Sequence, residues 1–230
     1  MLEEALDNFE NLAPPLFKEL VGTPTEYSRR HVEVSVPVLE EARQQAISKH
    51  RLNKSQANAV QLSLKHPLSL IQGPPSTGNT TVISALAEYF VMAETRVQAS
   101  APGHDSVNNL LDSFVRKDIT PGTVRLGPLE RIPQHHLKHS PKQVLFDKGY
   151  SRRSKNLNKH ICQATEDAEI VLGTAVSLMS STAPVSILDE AGQCTEFNTL
   201  CMINSRTLYL ILVGDHKQLS PVVRETPGYE

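Results

Sequence analysis

The chain has 230 residues, 39% hydrophobic and 21% charged, with a formal net charge of −2, which excludes a disordered chain and suits one sizeable domain, or one domain with an appendage. No apolar stretch nears the ~18 residues of a membrane span, and the acidic opening MLEEALDNFENL lacks the basic start and apolar core of a secretion signal. Cys162, Cys194 and Cys201 are few, odd in number and outside metal-ligand spacing, the pattern of a reduced intracellular protein.

Residues 1–49 carry a net charge of −4 and read as an appendage, with breaks at Pro14-Pro15, Pro24 and Pro37 and a helix over 38–49. From Asn53 the pattern becomes strand, loop, helix, repeated. The apolar run at 68–72 suits a buried parallel strand. Val82, Ile83, Leu86 and Phe90 stand at helical spacing over 80–92. A second strand is expected at 97–101 and a second helix at 106–115. Residues 116–160 hold 11 Lys/Arg against 3 Asp/Glu, a net of +8, and are broken by Pro121, Pro128, Pro133 and Pro141. This stretch predicts an excursion with a late helix over 152–165, and its charge suits either a polyanion contact or a solvated insertion. Within it, His135-His136-x-x-His139 has no neighbouring carboxylate or cysteine, and Pro133 and Pro141 suggest a loop, so the expectation is against a metal site. Arg152-Arg153-Ser154-Lys155 reads as a helix face on phosphate or water. Apolar runs at 170–172, 185–188 and 208–213 complete a series that predicts a mostly parallel sheet covered on both faces.

The stretch LSLIQGPPSTGNTTVISALAEYF, 68–90, sets a Gly/Pro-rich turn between strand and helix. In the pattern G-x-x-x-x-G-K-[ST], glycines let backbone N–H groups curl around phosphate oxygens. The helix N-terminus adds partial positive charge, the lysine adds a full one, and Ser/Thr offers a hydroxyl to magnesium. Gly73, Gly78 and Thr80 stand where required, and Asn79 stands where the lysine would. Asparagine donates a hydrogen bond and supplies no charge. Phosphoryl transfer rests on positioning and electrostatics, and one preorganised donor is worth about 10²–10³ in rate in other enzymes. Weakened nucleotide binding and severely impaired turnover are therefore expected.

VSILDEAGQ, at 185–193, ends an apolar strand in two carboxylates, at the edge where α/β ligand sites lie. Asp189 is placed to hold magnesium through water and Glu190 to polarise the attacking water. LYLILVGDHKQLSP, at 208–221, ends another strand in Gly214-Asp215 with Gln218 beyond, and LNKSQ, at 52–56, precedes the first strand.

In order, LNKSQ, PLSLIQGPPSTGNT, SAPG, LDEAGQ and LVGDHKQLSPVV resemble a superfamily 1 helicase of the nonsense-mediated-decay RNA helicase branch, over residues 50–223. The resemblance implies an α/β P-loop NTPase domain, RecA-like, over 50–230, with a basic helical insertion at 116–160. It implies ATP and Mg2+ as cofactors and single-stranded RNA or DNA as partner. Gln56 would read the adenine. Gly73, Pro74, Pro75, Ser76, Thr77, Gly78, Asn79 and Thr80 would cradle the phosphates, with Thr80 and Asp189 on the metal. Glu190 and Gln218 would be catalytic, and Gln193 and Gln218 would couple the γ-phosphate region to the nucleic acid. Ser100, Ala101, Pro102 and Gly103 would lie against the strand's backbone.

The departures are Asn79, Ser76 in place of a glycine, and Gly103-His104 in place of a small polar pair. A side chain at positive φ costs about 1 kcal/mol or more. The chain stops at Glu230, so the family's second RecA-like domain, with its arginines and half of the nucleic-acid track, is expected to be absent. An intracellular setting (cytoplasm or nucleus), no membrane, and other proteins of an RNA-processing complex complete the expectations. Two functional readings follow: a helicase motor half with impaired hydrolysis, or a catalytically dead nucleotide-binding or interaction module derived from one.

Overall fold

The computed structural model describes residues 36–74, 76–119 and 122–221. Pro75 and the breaks at Pro14-Pro15, Pro24 and Pro121 lie outside the described residues. Six strands form one parallel sheet: β1 (Leu68–Gln72), β2 (Val97–Ser100), β3 (Thr123–Arg125), β4 (Ile170–Gly173), β5 (Val185–Leu188) and β6 (Tyr209–Gly214), in the order β1-β6-β5-β2-β4-β3. The described helices are α1 (Val36–Lys49), α2 (Lys54–Ser63), α3 (Asn79–Met92), α4 (His104–Arg116), α5 (Pro141–Asp147), α6 (Leu157–Glu166), α7 (Ala175–Leu178) and α8 (Glu196–Leu200).

The central strands β2, β4 and β5 are buried at every residue, as near-continuous apolar runs between two helical layers should be. Alternation sorts their side chains. Ile170 and Leu172 join the main core with Ile83 and Leu86 of α3 and Leu111 and Phe114 of α4. Val171 points the other way, to Leu178 and Met202. On β2 the polar Gln98 is anchored through its Nε2, which donates to Ser186 Oγ and to the Met202 carbonyl, both at 2.7 Å.

The basic stretch is not wholly an excursion. Its residues 123–125 form β3, which pairs with β4 and closes one edge of the sheet. Thr-Val-Arg is too short and too polar to announce a strand. Arg125 is fully buried, donating from Nε to Asn108 Oδ1 at 3.2 Å and from its guanidinium to the Leu126 carbonyl. Burial pulls its pKa down to about 10, so it stays cationic at neutral pH. The late helix starts at Leu157, and Arg152 to Lys155 lie in turns rather than on a helix face. There the Ser154 hydroxyl accepts from Ser151 N at 2.9 Å, a local bond that competes with helix formation.

Within the segment read as an appendage, α1 buries Ala42 and Ala46 in the main core. Its end is tied to α3: Lys49 Nζ donates to Glu88 Oε1 at 2.5 Å, and His50 Nε2 pairs with Glu88 Oε2 at 2.6 Å. Burial pushes the Glu88 pKa up, but the His50 and Lys49 hydrogen bonds outweigh it and leave the value lowered. A carboxylate with a depressed folded pKa stabilises above its unfolded pKa of about 4.5, and that contribution is lost as pH falls through the folded value. Glu88→Gln should therefore lower the urea midpoint more at pH 7 than at pH 3. An equal loss at both pH values would refute this role for the ion pair.

Candidate nucleotide and nucleic-acid site

The turn between β1 and α3 is built from its own backbone. Gly73 N donates to the Gly214 carbonyl at 3.0 Å, which fastens the turn to β6. Thr77 Oγ1 donates to the Pro74 carbonyl at 2.6 Å. Gly78 has φ +90°, and a Cβ there would also meet Gln56 Nε2 at 2.5 Å, so only glycine fits. Ser76 takes φ +62°, the left-handed conformation in which a side chain is strained. Ser76→Gly relieves that strain while making the unfolded chain freer, for a net gain of about 0.5 kcal/mol, read from the urea midpoint. A loss of stability would show that the serine side chain has a role of its own.

Asn79 opens α3. Its Nδ2 donates to the Gly73 carbonyl at 2.7 Å, so the amide is turned onto the loop's own main chain. No side chain caps α3, which leaves amides of its first turn free to meet an anion.

Across from the loop, β5 ends in the carboxylate pair. Asp189 N donates to the Ser100 carbonyl at 2.8 Å, and Glu190 N donates back to Asp189 Oδ1 at 2.9 Å. Burial pushes the Asp189 pKa up to about 6; the bond from Glu190 N opposes this and the Glu190 charge adds to it. Glu190 sits at φ +51°, in the same left-handed region as Ser76. Gly214 lets β6 close on this edge, since a Cβ there would lie 2.9 Å from Ala191 N. Nearby, the Cys194 thiol is raised to about 11, chiefly by burial and then by the Asp189 and Glu190 charges, so it stays protonated.

Ser76, Gly78, Asn79, Thr80 and Thr81 line a cleft of about 480 Å³ whose far wall carries Asp189 and Glu190. Loop and acidic edge thus meet, as the sequence implied. Other expected residues stand around this cleft rather than in its lining. Gln56 donates from Nε2 to the Thr77 carbonyl at 2.9 Å and accepts from Asn53 N at 3.0 Å, bracing the loop. Gln193 donates to Glu190 Oε2 at 3.3 Å. Gln218 is half-buried just past β6, its N–H on the Asp215 carbonyl at 3.2 Å.

Sequence reasoning missed four lining residues: Asn109, Ser113, Arg116 and Lys117, from α4 and its end. Only the net charge of 116–160 hinted at the last two. Lys117 Nζ is buried without a hydrogen-bond partner among the described residues, and burial, then the Arg116 charge, lowers its pKa against the pull of Glu88. A second depression of about 230 Å³ on the same sheet edge is lined by Ala101, Pro102, Gly103 and His104 together with Thr174, Val176 and Asn198.

The residues fit magnesium. The Thr80 side chain and Asp189 line one cleft, and a buried carboxylate with a raised pKa lacks the countercharge a cation would supply. A parallel sheet with a Gly/Pro turn opening a helix at one strand end and an acidic pair at another is the architecture of an α/β P-loop NTPase domain of the RecA-like kind. The AAA domain model matches residues 51–170 and 146–226. Regulator of nonsense transcripts 1 of Caenorhabditis elegans is 27% identical over 96% of this chain and 23% of its own length. ATP-dependent helicase NAM7 of Saccharomyces cerevisiae is 31% identical over 76% of this chain and 21% of its own length. Among solved structures, the UvsW helicase of bacteriophage T4 superposes with a TM-score of 0.51 at 17% identity, over 86% of this chain and 67% of that one, a likeness of fold. The chain belongs to the AAA domain family and is a RecA-like domain of the superfamily 1, nonsense-mediated-decay type of helicase. It spans about a fifth of the length of these curated relatives. Among the described residues, no helix is long and apolar enough to cross a membrane.

Proposed function

We propose that this chain is the ATP- and nucleic-acid-binding motor domain of a superfamily 1 helicase, in which hydrolysis is impaired by Asn79. The observation that carries the reading is the shared cleft: the amide-rich start of α3 faces Asp189 and Glu190 across it. In this reading residues 73–80 hold the phosphates, Thr80 and Asp189 hold Mg2+, and Gln56 contacts the adenine while bracing the loop. Bound magnesium would neutralise phosphate charge. Glu190 is the general base toward water, steadied by Gln193, and Gln218 senses the γ-phosphate. Arg116 and Lys117 supply the cationic charge of the cleft wall. Single-stranded RNA or DNA crosses the Ala101–His104 depression, beside the exposed cations of the basic stretch. Unwinding requires the second domain of the full motor, because it needs a cleft that opens and closes.

Titration with a fluorescent ATP analogue and Mg2+ tests this, with Gly78→Val as the comparison. Valine cannot take the φ at 78 without strain and would strike Gln56. Saturable binding by the parent and at least tenfold weaker binding by the variant is expected; equal binding by both would refute the site. The second reading, a nucleotide-binding module without turnover, is favoured by one observation: the Asn79 amide is engaged with the Gly73 carbonyl.

A further inference from the structure

The triple-histidine stretch looked unsuited to a metal because no carboxylate stood near it in sequence. The fold supplies one. Asp112, on α4, meets His135 and His136, which lie on a 3-10 helix over Gln134–His139. Asp112 Oδ1 is 2.8 Å from His136 Nε2 and 3.5 Å from His135 Nε2, and one ligand atom from each of the three residues falls within 4.8 Å of the others. A lone carboxylate–imidazole hydrogen bond would account for His136 but not for His135. Successive residues of a 3-10 turn point about 120° apart. Here two consecutive imidazoles lie with ring centroids 4.1 Å apart and turn the same nitrogen to one oxygen. Zinc bonds of about 2.0–2.2 Å at tetrahedral angles put neighbouring ligand atoms roughly 3.3–3.6 Å apart, a spacing that the 3.5 Å pair already has and that the 2.8 Å pair reaches by opening about 0.5–0.8 Å when the ion replaces the hydrogen bond. His139 stands outside the cluster, its Nδ1 on the Thr123 carbonyl at 3.2 Å.

We infer that Asp112, His135 and His136 form a site for a divalent transition-metal ion of the zinc type, with solvent in the fourth position. Two imidazoles and one carboxylate suit zinc better than calcium or magnesium, which take oxygen ligands. His136 is buried, while His135 and Asp112 are partly exposed, so an ion can enter from solvent. The ion would pin the basic stretch to α4, the helix that also presents Asn109, Ser113 and Arg116 to the nucleotide cleft. This site stands independently of nucleotide binding.

Chelator-stripped full chain is titrated with Co2+ and followed by the visible absorption of a low-coordinate cobalt centre, then competed with Zn2+. One equivalent should saturate the signal, and zinc should displace it. Saturating zinc should raise the melting temperature by about 5 °C. His135→Ala changes an exposed side chain and should bind at least tenfold more weakly. Asp112→Asn keeps an acceptor for His136 and should lose affinity likewise, whereas His66→Ala should bind as the parent does. No saturable signal at 1 mM Co2+, or equal affinity in the parent and His135→Ala, overturns the site.

Discussion

Asn79→Lys is expected to raise ATP turnover by about 10²–10³, measured as single-turnover hydrolysis by the two purified chains side by side. The loop geometry needs no rebuilding. Gly73, Gly78 and Thr80 are in place, and Asn79 already directs its side chain inward, to the Gly73 carbonyl. What it lacks is a charge that moves with the transferring phosphate. A lysine reaches further along the same path and carries that charge. The absolute rate of both chains will be low, but the ratio isolates the position. Equal rates would show that the cleft meets its need for charge elsewhere, with Arg116 and Lys117 the first residues to examine.

Asp189→Asn should abolish the tightening of ATP binding by Mg2+ while making the ligand-free chain more stable. The carboxylate is buried and sits beside Glu190, and its pKa rises from 3.8 to about 6. Two units correspond to roughly 3 kcal/mol, a ceiling that hydration of the cleft trims to about 1–2. The folded pKa lies above the unfolded one, so the folded chain holds the proton more tightly. Ionisation then costs stability progressively as pH rises from 3.8 to about 6, and the cost is constant above that. Asparagine keeps an acceptor for Glu190 N without the charge. Urea midpoints should therefore nearly coincide at pH 4 and separate at pH 8, with the variant higher. A variant less stable than the parent at pH 8 would mean that Asp189 already has a stabilising partner.

These two effects come from residues that were legible in the sequence, because local pattern fixed both. A strand ending in two carboxylates and a Gly-Pro turn before a helix need no knowledge of distant chain. β5 was legible for the same reason, as an apolar run broken only by Ser186 and buried at every residue. The run at 68–72 was legible as a strand but not in its burial: β1 is an edge of the sheet, none of its residues is buried, and Leu70 is 75% exposed, because the sheet's edge is covered less than its centre. What escaped depends on topology. β3 holds three residues with a buried arginine at its end, and its pairing with β4 lies 45 or more residues away along the chain. Asn109, Ser113, Arg116 and Lys117 reach the cleft only because α4 runs beside α3, where Ser84 and Ser113 hydroxyls come within 3.3 Å. Asp112 meets His135 and His136 across the same kind of gap. The place of Ser76 was legible, but its φ of +62° needed coordinates.

The most direct test of the account is calorimetric titration of the full chain with ATP, with and without Mg2+. Saturable one-to-one binding, at least tenfold tighter with the cation, is expected of a loop that works through main-chain amides. Heat that never saturates at millimolar ATP in either condition would contradict it.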